Sequence, residues 1–499
     1  MILPQLTAIL PLSSAMPTKP LTGTDFYRFF QCPHWPYWER FGDPSLRRPL
    51  TETEEQRLAD GLEHEHEIVK KEYPDVESLE TLTFDQAAVR TIELMAKGVP
   101  AIYQGVLVDG DWRGKPDLLE RQPGKSKFGD WYYKPVDVKR AHELKKEHMC
   151  QLYFYGLLLE RIQGHFPAHP EIINADGERI AFDASAFASE FQSVLDALEQ
   201  IRSGEIPDPV YRKSCEDVSP WGKACRALAE ERNDIALIYN VDIKKLRGLR
   251  SLGILTVSDA ARLDPIQLEG QVPHLTLRAL ESIQRQARAL EEHAVIIREP
   301  FIDPTQGLEI HFDIEGYPPT DRDYLFGFWI PNGQEKGYKP FIAEHDERDE
   351  KAMWFAFLDW CAKLPSEFSV YHYANYEITR LSVLASRYGT EMNPDLIRFR
   401  NSMIDLKEIV REHIVFPLHF YSLKAIAKFL GFKWEGDVQG GGQSVFAYEQ
   451  WLETQDRSIL DAIIQYNRED VQATAHLLDW LRAHAQREAS FRPPYPWSK

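Results

Sequence analysis

Two stretches of this chain set charged residues two apart inside apolar, β-branched or aromatic runs: Val136-Asp137-Val138-Lys139 and His311-Phe312-Asp313-Ile314-Glu315. Residues i and i+2 of a strand share a face. Each run therefore predicts a strand with one apolar face and one charged face. Segments of helical spacing flank both, and a chain built this way folds into α/β layers.

Length and composition agree. At roughly 150 residues per domain, 499 residues predict about three domains, and 43 % hydrophobic residues supply their cores. The net charge of −19 disfavours a protein that coats nucleic acid non-specifically. Carboxylates that hold metal ions nevertheless reverse the sign of a site locally. Five scattered cysteines do not make a secreted disulfide framework. No apolar run approaches the roughly 18 residues of a membrane span. The N-terminal MILPQLTAILPLSSAMP has no base before Lys19 and is broken by Pro4 and Pro11. The expectation is a soluble, cytoplasmic protein without membrane contact.

The chain reads as three blocks, 20–235, 240–295 and 300–490. In the first, residues 51–71 predict a helix with Leu58, Leu62 and Val69 on one face, and 142–164 predict another. Residues 101–109 and 131–138 read as strands, with a loop over RQPGKSKFGDWYYKP. The middle block reads as two helical units around a turn at Gly253. The last opens with strands LEIHFDIEG, DYLFGFWI and SEFSVYHY, and Gly440, Gly441, Gly442, Gln443 and Ser444 read as a mobile loop.

Asp117, in Gly114-Lys115-Pro116-Asp117, joins Asp137 and Lys139 at a strand end. Two carboxylates and a lysine there can hold a hard divalent ion and orient a water toward phosphorus. Gln151 and Tyr155 share a helix face four residues apart, and Gly61-Leu62-Glu63-His64 places a histidine upstream. The series G-x-x-H, G-x-x-D, D-x-K, Q-x-x-x-Y resembles PD-(D/E)XK nucleases of the RecB type. The resemblance implies a restriction-endonuclease-like sandwich. It makes His64, Asp117, Asp137 and the Val138 carbonyl metal ligands and Lys139 the catalytic lysine, with Gln151 and Tyr155 orienting it.

Many such nucleases close the domain with four cysteines around a 4Fe–4S cluster. Cys32, Cys215 and Cys225 match three of those places, while Val218 stands at the fourth. A cubane needs four ligands. A degenerate cluster site and three ordinary buried thiols are the two readings.

In the connector, Lys244, Lys245, Arg247 and Arg250 surround Gly248. The segment resembles a helix–hairpin–helix, which binds backbone phosphates through turn amides and helix N-termini. A solvated helical linker is the equal alternative.

In the last block, Asp313 and Glu315 are followed by Tyr371-His372-Tyr373-Ala374-Asn375-Tyr376-Glu377. Tyr466-Asn467-Arg468-Glu469-Asp470 comes last, read as opening a helix. Four acids gathered from distant segments repel unless cations lie between them, and two Mg²⁺ or Mn²⁺ ions serve that purpose. The block resembles the RNase H-like DEDD exonucleases with tyrosine in the third motif. This implies Asp313, Glu315, Glu377 and Asp470 as metal ligands and Tyr466 as the residue positioning the attacking water. Glu377 departs from the commoner aspartate, which points either to a glutamate sub-family or to a loosened site. Asp405 reads as a helix N-terminal residue rather than an accessory acid.

Taken together, the blocks resemble a family of predicted bacterial and archaeal nucleases: a PD-(D/E)XK sandwich, a small helical connector and an RNase H-like mixed α/β domain. The expectation is a metal-dependent nuclease with two centres, the C-terminal one trimming 3′ to 5′. DNA is favoured as substrate, with RNA open. No P-loop is encoded, because Gly124-Lys125-Ser126 lacks the upstream glycine; a helicase or other repair or defence factor would be a partner. A nucleic-acid-binding scaffold with one or both centres inactive is the alternative, motivated by Val218, Glu377 and the net charge.

Overall fold

The computed structural model describes residues 19–345, 347–438 and 440–497. The apolar N-terminal stretch lies outside them. The described residues form two compact units that divide between Arg232 and Asn233, and the 240–295 segment folds as part of the second. Among the described residues no helix is long and apolar enough to cross a membrane.

The first unit is built on a mixed six-stranded sheet. Its strands are β1 (Glu77–Ser78), β2 (Ala101–Tyr103), β3 (Leu118–Ser126), β4 (Gly129–Val138), β5 (Glu171–Ile173) and β6 (Arg179–Ala181), adjacent in that order. β3 and β4 pair antiparallel, and β4 and β5 pair parallel. The stretch expected to be a loop after Asp117 is thus mostly a hairpin. Residues 101–109 do not form one strand. The chain turns at Gln104, whose φ of 57° is left-handed, and Leu107–Asp109 joins a separate three-stranded sheet.

Helix α1 (Glu52–Glu72) starts at a capping box between Thr51 and Glu54. Ile68 and Val69 near its end pack with Leu118, Val136 and Val138. Leu58 and Leu62 remain 64 % and 47 % exposed. A helix of 21 residues is about 30 Å long at 1.5 Å per residue, and only its C-terminal half reaches this core. Helix α2 (Lys146–Gln163) carries Gln151 and Tyr155 and ends at the left-handed Gly164.

The second unit holds a five-stranded sheet of β7 (Leu308–Tyr317), β8 (Arg322–Ile330), β9 (Gly337–Ile342), β10 (Phe368–His372) and β11 (Met403–Asp405), in the spatial order β9-β8-β7-β10-β11. The β7–β8 and β8–β9 pairs are antiparallel; β7–β10 and β10–β11 are parallel. Ahead of it run helices α3 (Ile243–Ser251) and α4 (Leu277–Glu291); interleaved with and following it are α5 (Glu347–Cys361), α6 (Tyr376–Arg387), α7 (Leu423–Phe429), α8 (Gly441–Thr454) and α9 (Arg457–His484). Ile310, Phe312 and Ile314 of β7 pack with Trp354 and Phe357 of α5 in the core.

Two expectations are corrected here. Gly441 to Ser444 open α8 rather than a loop, because Ser444 is buried and its hydroxyl lies 2.6 Å from that of Tyr324. Tyr466 and Asp470 sit well inside the 28-residue α9, not at its start.

Candidate metal centre

Strand alternation sends Ile310, Phe312 and Ile314 into the core, so Glu309, His311, Asp313 and Glu315 face the other way. Helix α9 covers that charged face. Arg482 donates to Glu309 Oε2 at 2.7 Å, and Asn467 Nδ2 donates to Asp313 Oδ2 at 2.8 Å. The same helix brings in Asp470. Single carboxylate oxygens of Asp313, Glu315 and Asp470 all lie within 4.8 Å of one another.

Glu377, at the second position of α6 and 3 % exposed, lies in hydrogen-bonding contact with Asp313. It borders this trio rather than joining it. Its Oε2 has no hydrogen-bond donor, although His372 Nδ1 is 3.4 Å away. The turn that presents it is held from two sides. Ala374 takes a left-handed φ of 71°; its N–H donates to Asp405 Oδ1 at 2.9 Å, and its carbonyl lies 2.7 Å from His372 Nδ1. Asp405 also caps the Leu406–His413 helix. It thus serves as the helix-start residue read from sequence, and as an anchor for the Glu377 turn.

Like charges crowd this pocket. Burial, and then Glu315, Asp470 and Glu377, push the Asp313 carboxyl well above its ordinary range. Burial and Asp470 push Glu315 up to about 8, against hydrogen bonds from Ser444 and Asn467. Burial raises Asp470 too, opposed by Lys424, Tyr466 and Trp434, whose Nε1 donates to Asp470 Oδ1 at 2.6 Å. Lys424 of α7 donates to the Tyr466 hydroxyl at 2.9 Å and lies 4.3 Å from the centre of its ring.

Sequence reasoning missed Asn467, Lys424, Trp434 and Tyr338. Asn467 is the most informative. Its Nδ2 holds Asp313, and its Oδ1 accepts from Tyr338 at 2.9 Å. A Cβ at Gly327, paired with Asp313 across β7–β8, would lie 1.5 Å from that same oxygen. The glycine inside DYLFGFWI was the readable signal, since glycine in a strand marks a close approach.

Residues 310–482 match the family model RNase_H_2, of the RNase H superfamily. The second unit therefore carries an RNase H-like domain, a nuclease-like fold of nucleic-acid processing, and all four acids and Tyr466 fall within it. No curated protein matches the chain. RNase H-like nucleases use divalent metals, and the donors fit: a close carboxylate trio, Glu315 and Asp470 buried and Asp313 half-buried, bordered by an oxygen without a donor.

The first unit has an acid pocket of different build. Asp117 precedes β3, and Asp137 lies on β4, 1 % exposed. The Asp117 N–H donates to Asp137 Oδ1 at 3.2 Å, and the Val138 N–H donates to Asp117 Oδ2 at 2.8 Å. Lys139 Nζ stands 3.0 Å from Asp137 Oδ2 and 3.8 Å from Asp117 Oδ2. Burial alone would lower this ammonium, but Asp137 and Asp117 hold it above its ordinary value. Gln151 donates to the Tyr155 hydroxyl at 2.9 Å. At Gly114 a Cβ would meet Leu158 Cδ1 at 2.7 Å and Tyr155 Cδ1 at 3.0 Å, so a larger residue would displace the helix face that carries Tyr155 or the Leu158 side chain. His64 Nε2 is buried without a partner. His64, Asp117 and Asp137 do not form a cluster as close as the Asp313 trio among the described residues. Glu65, the residue after His64, was missed: its charge acts on Asp117, Lys139 and Tyr103.

Cys32 and Cys225 lie 3.4 Å apart at sulfur, and Cys215 is in hydrogen-bonding contact with both. Val218, at the end of the Lys213–Asp217 helix, supplies no fourth donor, so the set does not fit a four-ligand cluster. In α3, Lys244 and Arg247 are exposed. Lys245 Nζ donates to the Asn240 carbonyl at 2.9 Å, and Arg250 pairs with Asp234 at 3.0 Å. Asp242 accepts from the N–H groups of Lys244 and Lys245, so this helix start is filled by its own carboxylate.

Proposed function

We propose that this chain is a divalent-metal-dependent nuclease whose RNase H-like domain trims nucleic acid from a 3′ end, with DNA the favoured substrate. The convergence of Asp313, Glu315 and Asp470 carries the reading. Mg²⁺ or Mn²⁺ bound there polarises water and neutralises charge on the phosphate and the leaving oxygen. Asp313, Glu315 and Asp470 would hold the ions, with Glu377 bordering them. Asn467 fixes the Asp313 carboxylate, and Trp434 fixes that of Asp470. Tyr466, one helical turn before Asp470 and anchored by Lys424, orients the attacking water.

In the first unit we propose a RecB-like PD-(D/E)XK centre, supported by the Asp117–Asp137–Lys139 contacts and the Gln151–Tyr155 hydrogen bond. Lys139 would stabilise charge on the phosphate oxygens. Five free, buried cysteines suit a reducing, cytoplasmic setting.

The test is Mn²⁺-dependent cleavage of end-labelled single- and double-stranded DNA and RNA by the wild type, Asp313→Asn, Asp137→Asn and the double variant. Progressive shortening from the 3′ end that disappears with Asp313→Asn supports the main reading. The scaffold reading draws on Glu377 standing beside the trio. Intact substrate with every protein, together with retained strand binding, would establish it instead.

A further inference from the structure

Apart from the acid centre, the second unit contains a cavity of about 450 Å³ with the opposite charge. Five cations line it, Lys245, Arg278, Arg285, Arg298 and Arg411, against two carboxylates, Glu408 and Glu412. In a chain of net charge −19, this lining carries a local excess of three positive charges, five cations less two carboxylates. Arg278, Ser282 and Arg285 follow at four and three residues along α4, so one helix face supplies three lining side chains.

Four of the five cations have a carboxylate within 4.0 Å, and one of those contacts is closer than 3 Å. Arg411 donates to Glu408 at 2.7 Å, and Lys245 lies 3.4 Å from Asp242. Arg285 is 3.6 Å from Glu281, Arg298 is 3.8 Å from Glu299, and Arg285 Nε is buried without a hydrogen-bond partner. Burial, and then Arg298, disfavour the Arg285 charge, as expected of two guanidiniums facing one space. The wall also carries a rigid aromatic element. Tyr239 and Tyr421 stack with ring centres 3.9 Å apart, and Tyr421 donates to Gln286 at 2.9 Å. Tyr421 lies three residues before Lys424, so one short segment joins this cavity to the acid centre.

Guanidinium forks match phosphate oxygens, and a space of this size is that of a small-ligand site. We propose that the cavity is a phosphate-binding site that takes the backbone of a nucleic-acid strand. The choice of occupant rests on the nuclease reading above; the phosphate chemistry does not. A free nucleotide presents the same group, and the two are separable.

The experiment is fluorescence anisotropy of a labelled single-stranded oligonucleotide with the full chain in EDTA, across a salt series. Arg285→Gln with Arg298→Gln is expected to weaken binding at least tenfold. It should also flatten the salt slope by about 1.4, two phosphate contacts at roughly 0.7 each. An equal loss in an Asp313→Asn background, where no cleavage is expected, keeps the outcome independent of nuclease activity. Isothermal titration with a 5′-mononucleotide is the second arm. If strand binding is unchanged while mononucleotide binding is lost, the phosphate site stands and the strand is overturned as its occupant. Unchanged binding of both by a variant that melts like the wild type overturns the proposal. The exposed pair Arg278→Gln and Arg411→Gln repeats the measurement if the first variant does not fold.

Discussion

The two acid pockets solve one electrostatic problem differently. In the first unit an ammonium is built in: Lys139 lies 3.0 Å and 3.8 Å from the two aspartates. In the second, Asp313, Glu315 and Asp470 converge within 4.8 Å, and the groups that hold two of them are an amide and an indole N–H. Neutral donors orient carboxylates without cancelling their charge. The first pocket is thus compensated by an ammonium in contact with both aspartates. The cation of the second, Lys424, is instead bonded to the Tyr466 hydroxyl and acts on Asp470 and Glu315 across space, which leaves repulsion within the trio for ions from solution to relieve. Dependence on added metal should divide the same way.

The strongest way to break this comparison is to remove one acid from each pocket. Asp313→Asn should reduce 3′ shortening by about 10²- to 10³-fold, the scale lost with a principal electrostatic group. Asp137→Asn should leave that shortening in place and remove any cleavage owed to the first unit. Gel assays with end-labelled strands decide it. Loss of 3′ shortening with Asp137→Asn alone would reverse the assignment.

Next comes the built-in cation. Lys139→Met leaves the buried Asp137 and the half-buried Asp117 with backbone donors but no cation, which costs about 3 kcal/mol for a broken buried pair. The loss should appear in urea unfolding of metal-free protein, and Mn²⁺ should restore part of it by taking the ammonium's place. Lys424→Met, which removes a cation bonded to Tyr466, should cost less.

A third substitution concerns a contact that could not be read directly. Asn467→Ala frees the Asp313 carboxylate, and loss of such a supporting partner lowers metal affinity or activity about 10- to 100-fold. Gly327→Ala should reproduce the defect by displacing the same side chain, since its Cβ would lie 1.5 Å from Asn467 Oδ1. Titration of Mn²⁺ by calorimetry measures both.

That pair shows where sequence was sufficient and where it was not. The alternation of β7 and the four-residue spacing of Tyr466 and Asp470 are local regularities. They set Asp313, Glu315 and Asp470 on a strand and a helix that do bring the three carboxylates together, although Asp470 was expected at that helix's start. The meeting of Asn467 with Gly327 joins residues far apart in the chain, and only the packing of α9 on β8 reveals it. Local signals also misled. A glycine run read as a loop became the first turn of α8, because the buried Ser444 hydroxyl meets Tyr324. Leu58 and Leu62 had helical spacing but lie on a part of α1 that reaches no core. Glu377 was legible as a motif residue; its place beside the trio depends on a turn pinned by Asp405, which no spacing encodes.

The smallest expected effect concerns the unrelieved charge itself. Glu315 is pushed up to about 8 from 4.5, by burial and by Asp470. The native state therefore keeps a proton that the unfolded chain has released, so this group's contribution to stability falls as pH rises from 4.5 toward 8. A divalent ion binds the ionised carboxylates and reverses that penalty. Melting temperatures in EDTA should decline between pH 6 and pH 8, and Mn²⁺ should raise them more at pH 8. A difference of about 1 kcal/mol corresponds to roughly 2–4 °C for a unit of this size. Glu315→Gln should flatten the decline in EDTA. An equal Mn²⁺ shift at both pH values would mean that the ion is not answering this repulsion, and the contrast between the two pockets would lose its physical basis.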